Sequence, residues 1–379
     1  MNELVLTNAR IVTRDDSFVG SLHADGGRIV DVAPGRSAVP GAVDCEGDWL
    51  VPGLVELHTD VLERHAFPRP GVRWPEDAAV VAYDAQLASA GITTAFDSLA
   101  IGYVIDTGQR PRDPRPLAEA IRATQGRGLL RAEHFLHVRC EVGTAQVLDD
   151  FEPFAGDPLL RLVSLMDHTP GQRQFVSLDK YREYYQGKYG LSDGQVAALI
   201  ASRVADQDRY AARHRAELTR RCHAHGLTLV SHDDATIAHV EEAAKIGTAI
   251  AEFPTTLEAA QAARAYGLAI LAGAPNLVCG RSHSGNVAAA ELASRGLLDI
   301  LSSDYVPAAL LHAAVLLHTQ LGLSLPAAIA TVTATPADRA GLADRGRLAP
   351  GRRADLVRVR VAGGLPVVQA VWRQARRVV

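Results

Sequence analysis

Val51-Pro52-Gly53-Leu54-Val55-Glu56-Leu57-His58-Thr59-Asp60 joins a Pro-Gly turn to an apolar strand that ends on an imidazole and a carboxylate. Pro-Gly turns the chain into the strand. In extended backbone His58 and Asp60, two residues apart, point to one side, so both can converge on one cation. Taken alone, an HxD triplet reads better as a hydrogen-bonded strand-end pair than as a metal site. Its meaning depends on its surroundings.

Outward from that strand, from about residue 53 to about 342, short apolar runs alternate with Ala-rich helical stretches. That is the pattern of βα units around a buried parallel sheet. Eight runs read as strands: 54–60, 93–98, 132–142, 160–167, 227–232, 249–253, 268–272 and 300–304. Eight units in this length predict an α/β fold, a (β/α)8 TIM-type barrel of the usual ~250 residues, with catalytic groups at the C-terminal ends of its strands. The termini read differently. Residues 3–12 alternate apolar and polar, Asp25-Gly26-Gly27-Arg28 is a turn, and 28–32 is extended again. At the other end 355–361, 367–372 and 376–379 are strand-like around a Gly363-Gly364 turn. Each terminal piece is too small to bury a core. Residues 1–52 with 343–379 are therefore expected to form one small β-sandwich-like domain beside a barrel of residues 53–342.

The chain has 379 residues, 47% hydrophobic and 22% charged, with 39 Lys+Arg against 43 Asp+Glu and a formal net charge of −4. A disordered chain is excluded, and there is no general basic surface for a nucleic-acid partner. No run approaches the ~20 uninterrupted apolar residues of a bilayer helix, so no membrane partner is expected. Met1-Asn2-Glu3 lacks the basic start of an export leader. Cys45, Cys140, Cys222 and Cys279 are widely spaced without a CxxC pair, which predicts reduced, buried, unpaired thiols in a cytoplasmic protein.

Four more predicted strand ends carry groups of the same type as His58 and Asp60: Glu141, Asp167-His168, His232 with Asp233-Asp234, and Asp304 after Ser302-Ser303. Singly, each has a plain structural reading: an ion pair of Glu141 with Arg139, a loop histidine, a helix cap, a turn. Gathered on one barrel mouth, His58, Asp60, Glu141, His168, His232 and Asp304 form a ligand set for one or two divalent metals. Mixed imidazole and carboxylate ligands suit zinc first, with manganese, iron or nickel as alternatives. Asp304 is the candidate to orient or deprotonate the attacking water. Glu252, at another strand end, is a ligand, an orienter of ligands or an ion-pair partner. On the strand of Glu141, His137 shares its parity and His134 is expected to face the helices; both are left outside the site.

Two stretches can gather positive potential for an anionic ligand. Gly280-Arg281-Ser282-His283-Ser284-Gly285-Asn286 precedes a helical run over 287–293, so Arg281, His283, Ser284 and Asn286 are candidate phosphate contacts, the alternative being a capping loop. Residues 169–226 exceed a minimal barrel and are read as an insertion over the active face. There Arg173, Lys180, Arg182 and Lys188 alternate with tyrosines, as either a lid that contacts substrate or an amphipathic surface helix.

A small composite β domain, a (β/α)8 core, a histidine motif after Pro-Gly, later strand-end histidines and a final-strand aspartate together resemble the amidohydrolase superfamily. Its usual first-strand motif is HxH, and this chain departs from it with His58-Thr59-Asp60. PGLVELHTD, SLMDHTPGQRQF, KYREYYQGKYGL, LVSHDDAT, AEFPTT, GAPN, SHSGN, DILSSDY and RGRLAPGRRADLV, in that order, are similar to one branch, the sugar-triphosphate diphosphatases of phosphonate breakdown. The resemblance implies metal-dependent hydrolysis of a ribose 5-triphosphate between its α and β phosphates, with release of pyrophosphate. It implies a small-molecule sugar triphosphate as partner and a homo-oligomer as an expected assembly. The alternative on the same scaffold is a cyclic amide or imide hydrolase, or a deaminase.

Overall fold

A computed structural model describes residues 3–102, 113–173, 178–282 and 285–379. The side chains of Lys180, Glu183, Tyr184, Tyr185, Lys188 and Tyr189 lie outside that description. Five strands precede the barrel: β1 (Leu4–Val12), β2 (Ser17–Asp25), β3 (Arg28–Pro34), β4 (Val43–Asp44) and β5 (Trp49–Pro52). The barrel strands are β6 (Leu54–Thr59), β7 (Ile92–Ile101), β8 (Glu133–Glu141), β9 (Leu160–Met166), β10 (Thr228–His232), β11 (Ile250–Glu252), β12 (Ala269–Gly273) and β13 (Ile300–Ser302). Three follow it: β14 (Leu356–Ala362), β15 (Leu365–Arg373) and β16 (Arg376–Arg377).

The terminal strands form one hydrogen-bonded sheet in the order β16-β15-β14-β5-β1-β2-β3, with β4 beside β1. The join between the two ends of the chain is the antiparallel pair β5 and β14, Leu356 opposite Pro52 and Val359 opposite Trp49. Leu6, Ile11, Leu22, Ile29, Leu50, Leu356 and Trp372 make the sheet's own core. Neither terminal piece has enough apolar surface to fold alone, so burial of these residues requires both. The composite origin expected from the sequence is what the pairing gives.

Strands β6 to β13 pair in chain order and all in parallel. The ring closes where β13 meets β6: Thr59 bridges Asp304, the Asp304 N–H donates to His58 O at 3.1 Å, and the Asp60 N–H donates to Asp304 O at 3.3 Å. Glu56 fastens the same seam. Fully buried, it accepts the His58 N–H on Oε1 (2.7 Å) and the Ser303 N–H on Oε2 (2.6 Å). One carboxylate thus ties together the strand ends that carry His58, Asp60 and Asp304. Phe96, Phe135, Leu162, Val230, Leu271 and Ile300 fill the barrel below the mouth. A larger cluster packs the outer strand faces against the surrounding helices.

Gly53 is required by close approach, since a Cβ there would fall 2.1 Å from Thr93 Oγ1. Beyond it, strict alternation fails. The register of β6 against β7 slips between Glu56 and Thr59, so Leu57 packs into the interior cluster while its neighbour His58 still reaches the mouth. Such an irregularity re-aims a side chain.

Much of the expected insertion belongs to the barrel itself. The helix Asp193–Ala224, opened by a capping box between Ser192 and Gln195, is the crossover from β9 to β10. The helix Leu178–Tyr189 precedes it, with Tyr181 fully buried. Cys45, Cys140 and Cys222 are buried free thiols as expected. Cys279 departs from that expectation: it caps the short helix Ala274–Val278 and is exposed.

Candidate metal centre

Histidines and carboxylates from five strand ends meet at the C-terminal mouth. His58 Nδ1 pairs with Glu252 Oε1 at 2.7 Å, and His232 Nε2 lies 3.7 Å from Glu252 Oε2. His168 Nδ1 pairs with Glu141 Oε2 at 2.7 Å while its Nε2 is 3.6 Å from Asp233. Among the described residues, two ligand groups of metal-binding spacing result, His58-His232-Glu252 and His168-His232-Asp233, sharing His232. Three of the six residues singled out in the sequence fall in these groups, and Glu141 is one hydrogen bond away through His168. Asp60 and Asp304 stand on the closing seam, where the Asp304 charge acts on His58.

Buried polar atoms test whether a cation fits. His232 Nδ1 and Asp233 Oδ2 are 3.1 Å apart yet not aligned to bond, and each is buried without a hydrogen-bond partner. Two orphaned ligand-type atoms side by side are costly unless something else satisfies both. Backbone strain marks the same rim: Asp233, Phe253 and Asp304, directly after or near the ends of β10, β11 and β13, adopt left-handed φ of 53–55°.

Electrostatics agree. Burial opposes charge on His58, but Glu252 outweighs it and the pKa rises. His168 is half-buried, and against its desolvation Glu141 and Asp233 raise it to about 9. Burial works against the carboxylates too, but His232 and His168 hold Asp233 well below its usual range, and His58 does so for Glu252. The carboxylates of this mouth thus favour positive charge on the imidazoles beside them, and a divalent cation would meet the same carboxylates. Burial pushes Glu56 up to about 7 and His137 down to about 3. His137 therefore stays neutral, reaching Leu57 O (2.9 Å) and Ser164 Oγ, and Ser164 donates to Glu252 Oε2 at 3.1 Å.

The remaining sequence candidates are dispersed. Arg173 is buried, and its guanidinium is engaged by Asp234, His232 O and Glu242. Arg182 is exposed and pairs with Asp179 at 3.2 Å, while the side chains of Lys180 and Lys188 lie outside the described residues. Arg281 is exposed and Asn286 partly buried, whereas His283 and Ser284 lie outside the described residues. The helix after this loop runs from Ala289 to Ser294, later than expected from the sequence, and Asn276 Oδ1 accepts its Ala289 N–H at 3.1 Å. His134 faces the helices as expected, between Asp84 and Asp97. Arg139 contacts His232 Nε2 (3.2 Å), and Glu141 is approached instead by Arg203 at 3.7 Å.

Glu56, Ser164 and Arg203 are the residues that sequence reasoning passed over, and Asp233 was named there but left out of the ligand set. Glu56 had a usable signal, a carboxylate in an otherwise apolar strand two residues before His58. Asp233 stood beside a chosen histidine. Ser164 and Arg203 had none outside the folded contacts.

A family model described as "Amidohydrolase family" matches residues 79–363. The chain is 47% identical over 377 residues, covering 99% of itself and 100% of the relative, to the α-D-ribose 1-methylphosphonate 5-triphosphate diphosphatase of Escherichia coli strain K12. Solved structures with the same fold include N-acetyl-D-glucosamine-6-phosphate deacetylase from Mycobacterium smegmatis (TM-score 0.63, 18% identity, 99% and 100% of the two chains). Another is 5-methylcytosine deaminase from Klebsiella pneumoniae (TM-score 0.64, 15% identity, 99% and 98%). With a barrel mouth of paired histidines and carboxylates and a match across most of its length, the chain belongs to the amidohydrolase family.

Proposed function

We propose that this protein hydrolyses α-D-ribose 1-methylphosphonate 5-triphosphate to ribose 1-methylphosphonate 5-phosphate and pyrophosphate, in phosphonate catabolism. The observation that carries the reading is the 47% identity to the Escherichia coli diphosphatase across essentially both chains. The two ligand groups sharing His232 support it. In this reading residues 53–342 are the hydrolase barrel, and 1–52 with 343–379 the β domain that braces it. The protein acts in the cytoplasm, in keeping with its free cysteines. Among the described residues no helix is long and apolar enough to cross a membrane.

His58, Asp60, Glu141, His168, His232 and Asp304 hold one or two divalent ions, zinc first, with Asp233 and Glu252 completing the donor set. A cation bound there supplies charge stabilisation at phosphoryl oxygens and acidifies water. The chain's own groups do the rest. Asp304 carboxylate oxygens orient the attacking water and accept its proton. Glu141 fixes the His168 ring by a bond to Nδ1 and another to the backbone N–H (3.0 Å). The Ser164 hydroxyl donates to Glu252 Oε2 and fixes that carboxylate. Arg281, His283, Ser284 and Asn286, with Lys180 and Lys188, are the substrate contacts in this reading, whereas Arg173 and Arg182 are already paired with carboxylates.

Phosphorus NMR of zinc- or manganese-loaded protein with the sugar triphosphate in ¹⁸O water tests the reading. Pyrophosphate and the sugar 5-phosphate are the expected products, and the product carrying the heavy oxygen identifies the attacked phosphorus. No turnover with a full metal complement overturns the proposal and moves the search to amides and imides.

A further inference from the structure

The helix Asp193–Ala224 buries Val196, Arg203, Ala211, His214, Leu218 and Cys222 along one stripe. Its lower half is largely apolar and packs on the barrel, as a crossover helix should. Its upper half breaks that pattern. Arg203 occupies a stripe position at 5% exposure, and one turn on Gln207 donates to Asp167 Oδ2 at 3.2 Å. The Arg203 Nη2 lies 3.7 Å from Glu141 Oε1, beyond hydrogen-bond reach, and has no hydrogen-bond partner. A second buried guanidinium lies on the strand of Glu141 itself. Arg139, two residues before Glu141 on β8 and 8% exposed, places Nη2 3.2 Å from His232 Nε2 and leaves its buried Nε without a partner. Two buried cations with unsatisfied donors at one strand end are expensive to keep unless an anion completes them.

We propose that Arg203 and Arg139 form a phosphate subsite in the wall of the mouth, taking the oxygens of a polyphosphate by charge-assisted hydrogen bonds. The inference rests on the polyphosphate substrate proposed above and deepens it: the crossover helix, rather than the tyrosine-rich segment before it, brings positive charge to the reacting phosphates. A guanidinium suits this place because its fixed fork matches phosphate oxygens and its charge survives burial.

The test is calorimetric titration of metal-loaded wild type, R203Q, R203K and R139Q with inorganic pyrophosphate, the divalent metal held in excess of the ligand. The Kd is expected to weaken ~10- to 100-fold in R203Q, the loss of one or two charged hydrogen bonds. R203K and R139Q should weaken it less, and metal content by mass spectrometry should stay that of wild type. An unchanged Kd in R203Q overturns the subsite. Loss of metal from R203Q also overturns it, marking Arg203 as a support of Glu141 alone. If R203Q does not fold, R203K decides, since it keeps the charge without the fork: a weakened Kd supports the subsite and an unchanged one removes it. Turnover of the sugar triphosphate by wild type is read separately. Turnover with Arg203-independent pyrophosphate binding keeps the reaction and removes the subsite; no turnover with Arg203-dependent binding does the reverse.

Discussion

Two buried clusters of histidine and carboxylate lie on opposite faces of the barrel wall, and they differ in how completely their atoms are used. On the outer face His134 Nδ1 meets Asp97 Oδ2 at 2.9 Å and its Nε2 meets Asp84 Oδ1 at 3.3 Å. The Tyr83 hydroxyl donates to Asp97 Oδ1 (2.8 Å), and Asp84 also accepts the backbone N–H groups of Arg131 and Ala132. That cluster is saturated. In the mouth, His232 Nδ1, Asp233 Oδ2, Arg139 Nε and Arg203 Nη2 are buried without hydrogen-bond partners. Residue types are nearly the same, so composition does not separate scaffold from site. Between these two clusters saturation is the difference: the complete network has nothing left to offer a ligand, whereas the incomplete one has donors and acceptors to spare.

The largest effects should fall at the two extremes of this contrast. Replacing His232 by Ala removes the imidazole shared by both ligand groups, and kcat/KM for the sugar triphosphate should fall at least ~10³-fold with loss of bound metal. Thermal stability of the metal-free protein should change little, and a large drop would erase the distinction. Replacing His134 by Leu strands two buried carboxylates and should cost about 3–5 kcal/mol in denaturant unfolding. Metal content of the folded fraction should stay unchanged.

Titration gives a second lever. Burial disfavours charge on His134, but Asp97 and Asp84 outweigh it and lift the pKa from 6.5 to about 10. Because the folded value lies above the unfolded one, the protonated ring stabilises the fold fully below pH 6.5, and this contribution is lost as pH rises through about 10. Unfolding free energy should therefore decline above neutrality, by up to ~1.4 kcal/mol per pH unit. His134→Gln should flatten that decline. A slope unaltered in the variant would show that another group carries it.

Glu56 belongs to both sides of the comparison, since it is saturated yet holds ligand strands. Glu56→Gln turns one acceptor into a donor that faces a backbone N–H, so ~1–3 kcal/mol of stability should be lost. Metal affinity should fall with it, because His58 and Asp304 are no longer held in register. The smallest effect is expected at the exposed rim. Arg281→Ala should raise KM a few-fold (~3–10) with a weaker salt dependence and no shift in Tm. Equal harm to KM and Tm would make that loop a structural cap.

Much of this architecture was legible before folding was considered. Alternation in the terminal segments, the repeated βα pattern and strand-end polar groups are local or periodic properties, and burial of a parallel sheet imposes them on the chain directly. His58, Glu141, His168 and His232 could be named because a strand end projects its side chain to a place that the barrel topology defines. Other features depend on neighbours distant in sequence. Glu56 matters because β13 closes on β6, which brings Ser303 within 2.6 Å of it. Arg203 matters because a 32-residue helix returns across the mouth to Glu141, 62 positions earlier in the chain. Whether a buried polar atom is satisfied or orphaned is set by partners that only packing supplies, so the line between His134 and His232 is drawn by the fold and not by the order of residues.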